Sequence, residues 1–268
     1  MERIKQALDK ARQERETRQE GSAAARTVPP VPAAGDAGAS GVPVTPTVSL
    51  DEAMLRNNRI IAGMAPGSFP DSYNLLRTRI LQVFKENNWN SLGVTSPGTG
   101  AGSSLTALNL AISMAREVDY TVLLVDANLR QPTLLAQLGL EPRPGLSDYL
   151  SSDTSLADLL FRPGLVEHLV ILPGGQPLAN SAEMLNSPRM GLLAEEMKSR
   201  YDTRIVIYDL PPVLDSSDTL AFAPHLDAAL VVVEDGVTQK QEIEQAVELL
   251  SVTNIIGTVL NKSDSPGS

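Results

Sequence analysis

Three stretches of the sequence carry groups that, once brought together, handle phosphate. The first is the run Ser96-Pro97-Gly98-Thr99-Gly100-Ala101-Gly102-Ser103-Ser104. Gly98, Gly100 and Gly102 let the backbone turn tightly and aim its amide N–H groups inward. A helix starting near Ser103 adds the positive end of its dipole, and the two together cradle phosphate oxygens. The other two stretches end in single carboxylates, Asp126 in TVLLVD and Asp209 in IVIYD, each closing an apolar run. Carboxylates beside a phosphate site make chemical sense when Mg²⁺ lies between them, and Ser104 offers a hydroxyl to the same ion. The candidate nucleotide-binding set is therefore Gly98, Thr99, Gly100, Ala101, Gly102, Ser103 and Ser104; the candidate metal set is Ser104, Asp126 and Asp209. One component is missing. A phosphate loop of this kind ends in Gly-Lys-Ser/Thr, and Ser103 stands in the place of the lysine. No lysine occurs between Lys85 and Lys198. Taken singly, the loop also reads as a Gly-rich turn without a ligand, and each aspartate as the cap of a following helix. Their joint occurrence weighs against that bland reading.

The elements that must position these groups are legible as periodicity. Apolar runs at 92–95, 121–125, 169–172, 205–208, 228–233 and 255–260 alternate with helical patterns such as 104–116, 187–199 and 238–251, and 71–86 reads as a helix before the first strand. The runs are continuous rather than alternating, which indicates strands buried on both faces. This predicts an α/β fold of the P-loop NTPase type, a mostly parallel sheet covered by helices on both faces. Ligands of such sheets bind beyond the carboxyl ends of the strands, where the loop, Asp126 and Asp209 all fall.

Composition limits the remaining choices. The chain has 268 residues, 42% hydrophobic and 4% aromatic, with a formal net charge of -10. An acidic chain without a basic cluster argues against nucleic acid as a partner. With no cysteine and only His168 and His225, disulfides, thiol catalysis and Cys- or His-based metal sites are excluded. Residues 1–20 are charged, with Ile4, Ala7, Leu8 and Ala11 at helical spacing, and read as a short amphipathic helix, either solvated or a docking element. Residues 21–57 are read as a flexible linker rich in Pro, Ala and Gly, a disordered tether. The phosphate-binding domain is placed at 58–264 and a short tail at 265–268. No apolar h-region or membrane-length apolar run is present, so the expected location is the cytoplasm, with recruitment to the inner membrane face through a partner.

Taken together, the motifs resemble those of the bacterial tyrosine-kinase family, P-loop autokinases of capsule and exopolysaccharide synthesis, in their stand-alone form. The resemblance runs over about 58–264. It rests on TSPGTGAGSSLTALNLA, LLVDANLRQPTLLAQLGL with PGLSDYL, LPGGQPLANSAEMLNSPRM, YDTRIVIYDLPPVLDSSD, LDAALVVVEDGVT and GTVLNK, in that order. It implies ATP or ADP and Mg²⁺ as cofactors, Asp126 as a base toward a tyrosine hydroxyl, and Asp209 and Ser104 at the metal. Asn261 would lie near the adenine. A membrane chain-length regulator, a polysaccharide co-polymerase, is the implied partner. The family's ring-forming helix is matched by Asp71, Asn74 and Arg77, with one arginine missing, which implies a homo-oligomer through 71–80. In such a ring a neighbour's Arg77 or Arg79 would be the candidate to replace the lysine.

The departures are as informative as the matches. Besides Ser103, Asn128 replaces a second acidic residue, and no tyrosine follows Tyr208, whereas the resemblance implies a terminal tyrosine cluster in active members. Removing one preorganised electrostatic group typically costs roughly 10²–10³ in rate. The expectation is a regulator with a degenerate phosphate loop and impaired or absent phosphoryl transfer. Three alternatives stand beside it: an active tyrosine kinase with Tyr73 or Tyr149 as acceptor, a partitioning or positioning ATPase, and a GTPase reading guanine through Asn261-Lys262-Ser263-Asp264. The second lacks its usual early lysine in the loop, and the third rests on a short pattern. Arg130 reads equally as a surface ion pair or a contact to phosphate or a neighbour.

Overall fold

The computed structural model describes residues 45–61, 71–200 and 203–263. All of them belong to the unit Pro43–Ser268. The expected N-terminal helix 1–20 and the 265–268 tail lie outside the described residues, as does the linker up to residue 44.

Six strands form one sheet: β1 (Ser91–Thr95), β2 (Thr121–Asp126), β3 (Leu169–Leu172), β4 (Arg204–Asp209), β5 (Ala228–Glu234) and β6 (Asn254–Asn261). Their order is β3-β2-β4-β1-β5-β6, and every pairing is parallel. The expected α/β class is therefore observed. Helices join successive strands: α1 (Glu52–Asn57) and α2 (Asp71–Asn87) precede β1, and α3 (Ser103–Met114) follows it. Further along lie α4 (Leu134–Gln137), α5 (Leu146–Ser151), α6 (Leu156–Leu159), α7 (Ser181–Leu185), α8 (Pro188–Ser199), α9 (Asp218–Phe222) and α10 (Lys240–Leu249).

Period-two geometry sends alternate side chains of each strand to opposite faces. Val122 and Leu124 enter a core with Leu108, Ile112, Ile205 and Ile207. Leu123 and Val125 enter another with Met190, Leu193, Val206 and Tyr208. Both faces are thus apolar, which is why the runs read as continuous. β6 is the exception. It pairs only with β5 and keeps an exposed or half-exposed surface along its length, so the expectation of strands buried on both faces fails at this edge.

A second difference concerns the linker. Its composition placed residues up to 57 in a flexible tether, yet residues 45–61 are bound to the domain. Val48 donates to the Arg162 carbonyl at 2.8 Å, and Arg162 donates to Pro46 at 2.8 Å. Asp51 caps α1 by accepting from Ala53 N at 2.7 Å, and Leu55, Ile60 and Ile61 are buried in the core. Asn109 of α3 completes the attachment, accepting from Ile61 N at 3.0 Å and donating to the Arg59 carbonyl at 3.1 Å. Three scattered apolar side chains and a buried asparagine leave no periodic signature, so a composition window reads only the prolines and glycines.

Candidate functional site

The phosphate loop joins β1 to α3 and is held from three sides. Thr95 Oγ1 donates to the Pro211 carbonyl at 2.7 Å, and Thr219 Oγ1 donates to the same oxygen at 2.6 Å. Val213 N donates to the Ser96 carbonyl at 2.9 Å and Leu214 N to Pro97 at 3.1 Å. Inside the loop, Ser96 Oγ donates to the Gly98 carbonyl at 2.8 Å. The third side is β6: Asn261 Nδ2 donates to the Ala101 carbonyl at 2.8 Å. Gly102, at φ 90°, caps α3. A Cβ there would collide with Asn261 Nδ2, so both the left-handed backbone and the contact with β6 require glycine.

The loop opens onto a cleft of about 450 Å³. Thr99, Gly100, Gly102, Ser103 and Ser104 form one part of its lining; Asn128, Arg130 and Gln131 after β2 form another; Pro211, Pro212, Asp215 and Ser216 form a third. The loop residues named from the sequence are therefore assembled at one cleft, except that Gly98 and Ala101 are absent from its lining. Ala101 is buried and gives its carbonyl to Asn261. Ser103 is almost buried at the helix start and ends in a hydroxyl where a lysine would reach several ångströms further.

Asp126 and Asp209 sit opposite each other in the register of β2 and β4, and both are inaccessible to solvent. Their surroundings differ. Asp126 accepts from Thr133 N at 3.0 Å, Leu134 N at 3.1 Å and Asn128 N at 3.3 Å. Burial nevertheless pushes its carboxyl up to about 7, against those three amides. Among the described residues no donor reaches either Asp209 carboxylate oxygen in full hydrogen-bond geometry, and the Ser104 hydroxyl interacts only weakly. Burial, then the neighbouring Asp126 charge, hold its carboxyl well above the usual range, and only the Ser104 hydroxyl pulls it down. An inaccessible carboxylate with both oxygens unmatched, next to Ser104, fits a divalent cation. Among the described residues no group of three or more His, Asp or Glu side chains gathers. That suits Mg²⁺, which is held by one or two carboxylates and completes its shell with phosphate oxygens and water.

The other residues singled out from the sequence are placed as follows. Asn128 Oδ1 accepts from Gln131 N at 3.3 Å, so its side chain braces the turn after β2. Arg77 is tied to its own domain, paired with Glu117 at 2.8 Å and donating to the Ser113 carbonyl at 3.0 Å; it is not presented outward as a reagent for a neighbour's site. Tyr73 and Tyr149 do not line the cleft. The Tyr73 hydroxyl receives Asn109 Nδ2 at 3.4 Å, and the Arg189 guanidinium covers the Tyr149 ring at 4.7 Å. Lys262 pairs with Glu234 at 3.0 Å, and Asp264 lies outside the described residues. Asn261 also borders a second, largely apolar groove of about 270 Å³ between α2 and β6.

Two contributors carried no sequence signal. Asp218 is fully buried at the start of α9 and lies 3.5 Å from Arg130 Nη2; in the sequence it is one more polar residue in SSD. Thr219 looks like an ordinary helical threonine, yet it fixes the Pro211 carbonyl behind the loop. Among the described residues no helix is long and apolar enough to cross a membrane.

No family model matches the chain. The tyrosine-protein kinase YwqD of Bacillus subtilis is 33% identical over 217 residues, covering 77% of this chain and 90% of that relative. The crystal structure of the chimerical protein CapA2B2 superposes with a TM-score of 0.70 at 25% identity, over 84% of this chain and 96% of that one. The kinase domain of the Escherichia coli tyrosine kinase ETK gives a TM-score of 0.66 at 26% identity, over 75% and 80% of the two chains.

Proposed function

Because the chain belongs to the bacterial tyrosine-protein kinase family, we propose that it is a regulator of capsule or exopolysaccharide synthesis that binds Mg²⁺ and ATP or ADP weakly and is impaired in phosphoryl transfer. The observation that carries this reading is Ser103, a short neutral side chain at the helix start where a lysine is needed. Backbone amides from Gly100 to Ser104 and the positive end of α3 remain to hold phosphates. Ser104 and Asp209 would hold Mg²⁺, which when bound neutralises phosphate charge and so favours phosphoryl transfer. Asp126, fixed by three amides and with its carboxyl near 7, is suited to accept a proton from a tyrosine hydroxyl. The apolar groove beside Asn261 is where a purine would lie. The partner proposed is a membrane chain-length regulator that recruits the chain to the inner membrane face, with a homo-oligomer through the exposed side of α2.

One observation favours a second reading, an active tyrosine kinase: both carboxylates are intact at paired strand ends. Calorimetry with ATP and Mg²⁺, beside a Ser103→Lys variant, separates the two. The variant is expected to bind ATP roughly tenfold tighter or more and to form phosphotyrosine roughly 10²–10³ times faster on a supplied substrate. Wild-type protein that binds as tightly as the variant and forms phosphotyrosine, with loss in Asp126→Ala, would establish the kinase and end the impaired reading.

A further inference from the structure

A phosphate loop without its lysine leaves the negative charge of a nucleotide to be met by backbone dipoles and Mg²⁺. Among the described residues that line the cleft, Arg130 alone carries a positive charge. It enters from the turn after β2 and shares the lining with Ser103 and Ser104. We propose that Arg130 supplies the phosphate-binding cation of this site, in place of the absent lysine. The inference rests on the reading that the cleft takes a nucleotide.

Three features support it. First, the Arg130 side chain is 55% exposed, although its carboxylate partner Asp218 is fully buried. The side chain therefore sits at the boundary, with one donor near a buried carboxylate and more than half of its surface accessible. Second, the ion pair is a single contact of 3.5 Å between Nη2 and Oδ1. That is longer than the 2.7–2.9 Å of a strong charge-assisted bond. A guanidinium has five N–H donors in a fork, so one can stay with Asp218 while the others meet phosphate oxygens in bidentate fashion. Third, among the described residues Asp218 Oδ2 has no hydrogen-bond partner, and the side chain has zero exposure. A buried carboxylate in that condition keeps a cation close by and resists its departure to solvent. Arg130 is thus anchored at the cleft rim rather than being one of many mobile surface arginines. A lysine reaches phosphate from the helix start; Arg130 reaches it from the turn after β2, so the same charge arrives by another route.

The test is a cycle of four proteins: wild type, Arg130→Ala, Ser103→Lys and the double variant. Each is titrated calorimetrically with ATP and with AMP at constant Mg²⁺, and melted without nucleotide. Arg130→Ala is expected to weaken ATP about tenfold or more while leaving AMP unchanged, since a single charge-assisted contact to the outer phosphates is lost. Adding Ser103→Lys should restore ATP binding in the Arg130→Ala background, and by a larger factor than it improves the wild type. An Arg130→Ala protein that binds ATP as well as wild type overturns the proposal, as does one that loses ATP and AMP equally. Should Arg130→Ala fail to fold, Arg130→Gln is read in its place, because it keeps most of the aliphatic stem and removes the charge; unchanged ATP affinity there is equally fatal. Wild-type protein without measurable ATP binding refutes both this inference and the nucleotide reading. Tight wild-type binding with active phosphotransfer, lost in Arg130→Ala, refutes only the impaired reading.

Discussion

The two ends of the sheet solve the same problem, a carboxylate held in the domain, in opposite ways. At the amino ends of the strands, Asp227 accepts from Lys198 Nζ at 2.6 Å, Ser91 Oγ at 2.9 Å, and the amides of Asn90 and Ser91 at 3.0 Å each. Burial pushes its carboxyl up, but the Lys198 bond and the amide and hydroxyl donors outweigh it, and the carboxyl is held below the usual range. At the carboxyl ends, Asp209 has no completed hydrogen bond and its carboxyl is held high. A carboxylate with every lone pair matched joins β1, β5 and α8 together. One without matches is costly alone and becomes favourable when a cation arrives. The difference separates the end that secures the fold from the end where the proposed function places a ligand.

Replacing Asp227 by alanine breaks the secured end. It strands Lys198, half-buried, and leaves three donors without an acceptor, so a loss of about 3 kcal/mol is expected in urea unfolding. A loss under about 1 kcal/mol would mean that the network is ornamental. The ligand end should respond with the opposite sign. Asp126 and Asp209 have folded carboxyls above their unfolded values, so between about pH 4 and 7 the native state holds protons that the unfolded chain has released. Their contribution is present at low pH and is lost as pH rises through the folded values. The melting temperature of nucleotide-free protein should therefore fall from pH 5 to pH 8. Asp227 works the other way, and its contribution disappears as pH drops below the ordinary carboxylate range. Asp209→Asn should flatten the first slope and at pH 8 melt a few degrees above wild type, worth about 1 kcal/mol. A profile in which Asp209→Asn parallels wild type would refute the assignment. The smallest effect belongs to Asp126→Asn. Its amide places a donor against a backbone donor, so it should be destabilising by under about 1 kcal/mol, and a stabilised variant would show that the three amides matter less than burial.

Much of this was legible before the fold. Continuous apolar runs located all six strands within a residue or two, because burial on both faces suppresses the alternating pattern. The loop and both strand-end aspartates could be placed at one end of the sheet in advance because a parallel sheet gathers the loops after its strands at their carboxyl ends. Three things were not legible. Residues 45–57 read as tether because their anchors, Leu55 and the backbone bonds to residue 162, have no period. The open face of β6 was missed because an edge strand here is still half apolar. Arg130 remained ambiguous, since its partner Asp218 lies 88 positions away in the chain and only tertiary structure brings the two together.

The bond from Asn261 to Ala101 spans 160 residues. Loops closed over such distances form late, because the chain entropy must be surrendered before the contact returns anything. During synthesis, β1 and the glycines after it emerge well before the asparagine that locks them. Throughout that interval the turn has its sequence but not its brace. On the proposed function, nucleotide competence should thus arrive as one of the last events of folding, as a seal on the finished sheet rather than a nucleus for it.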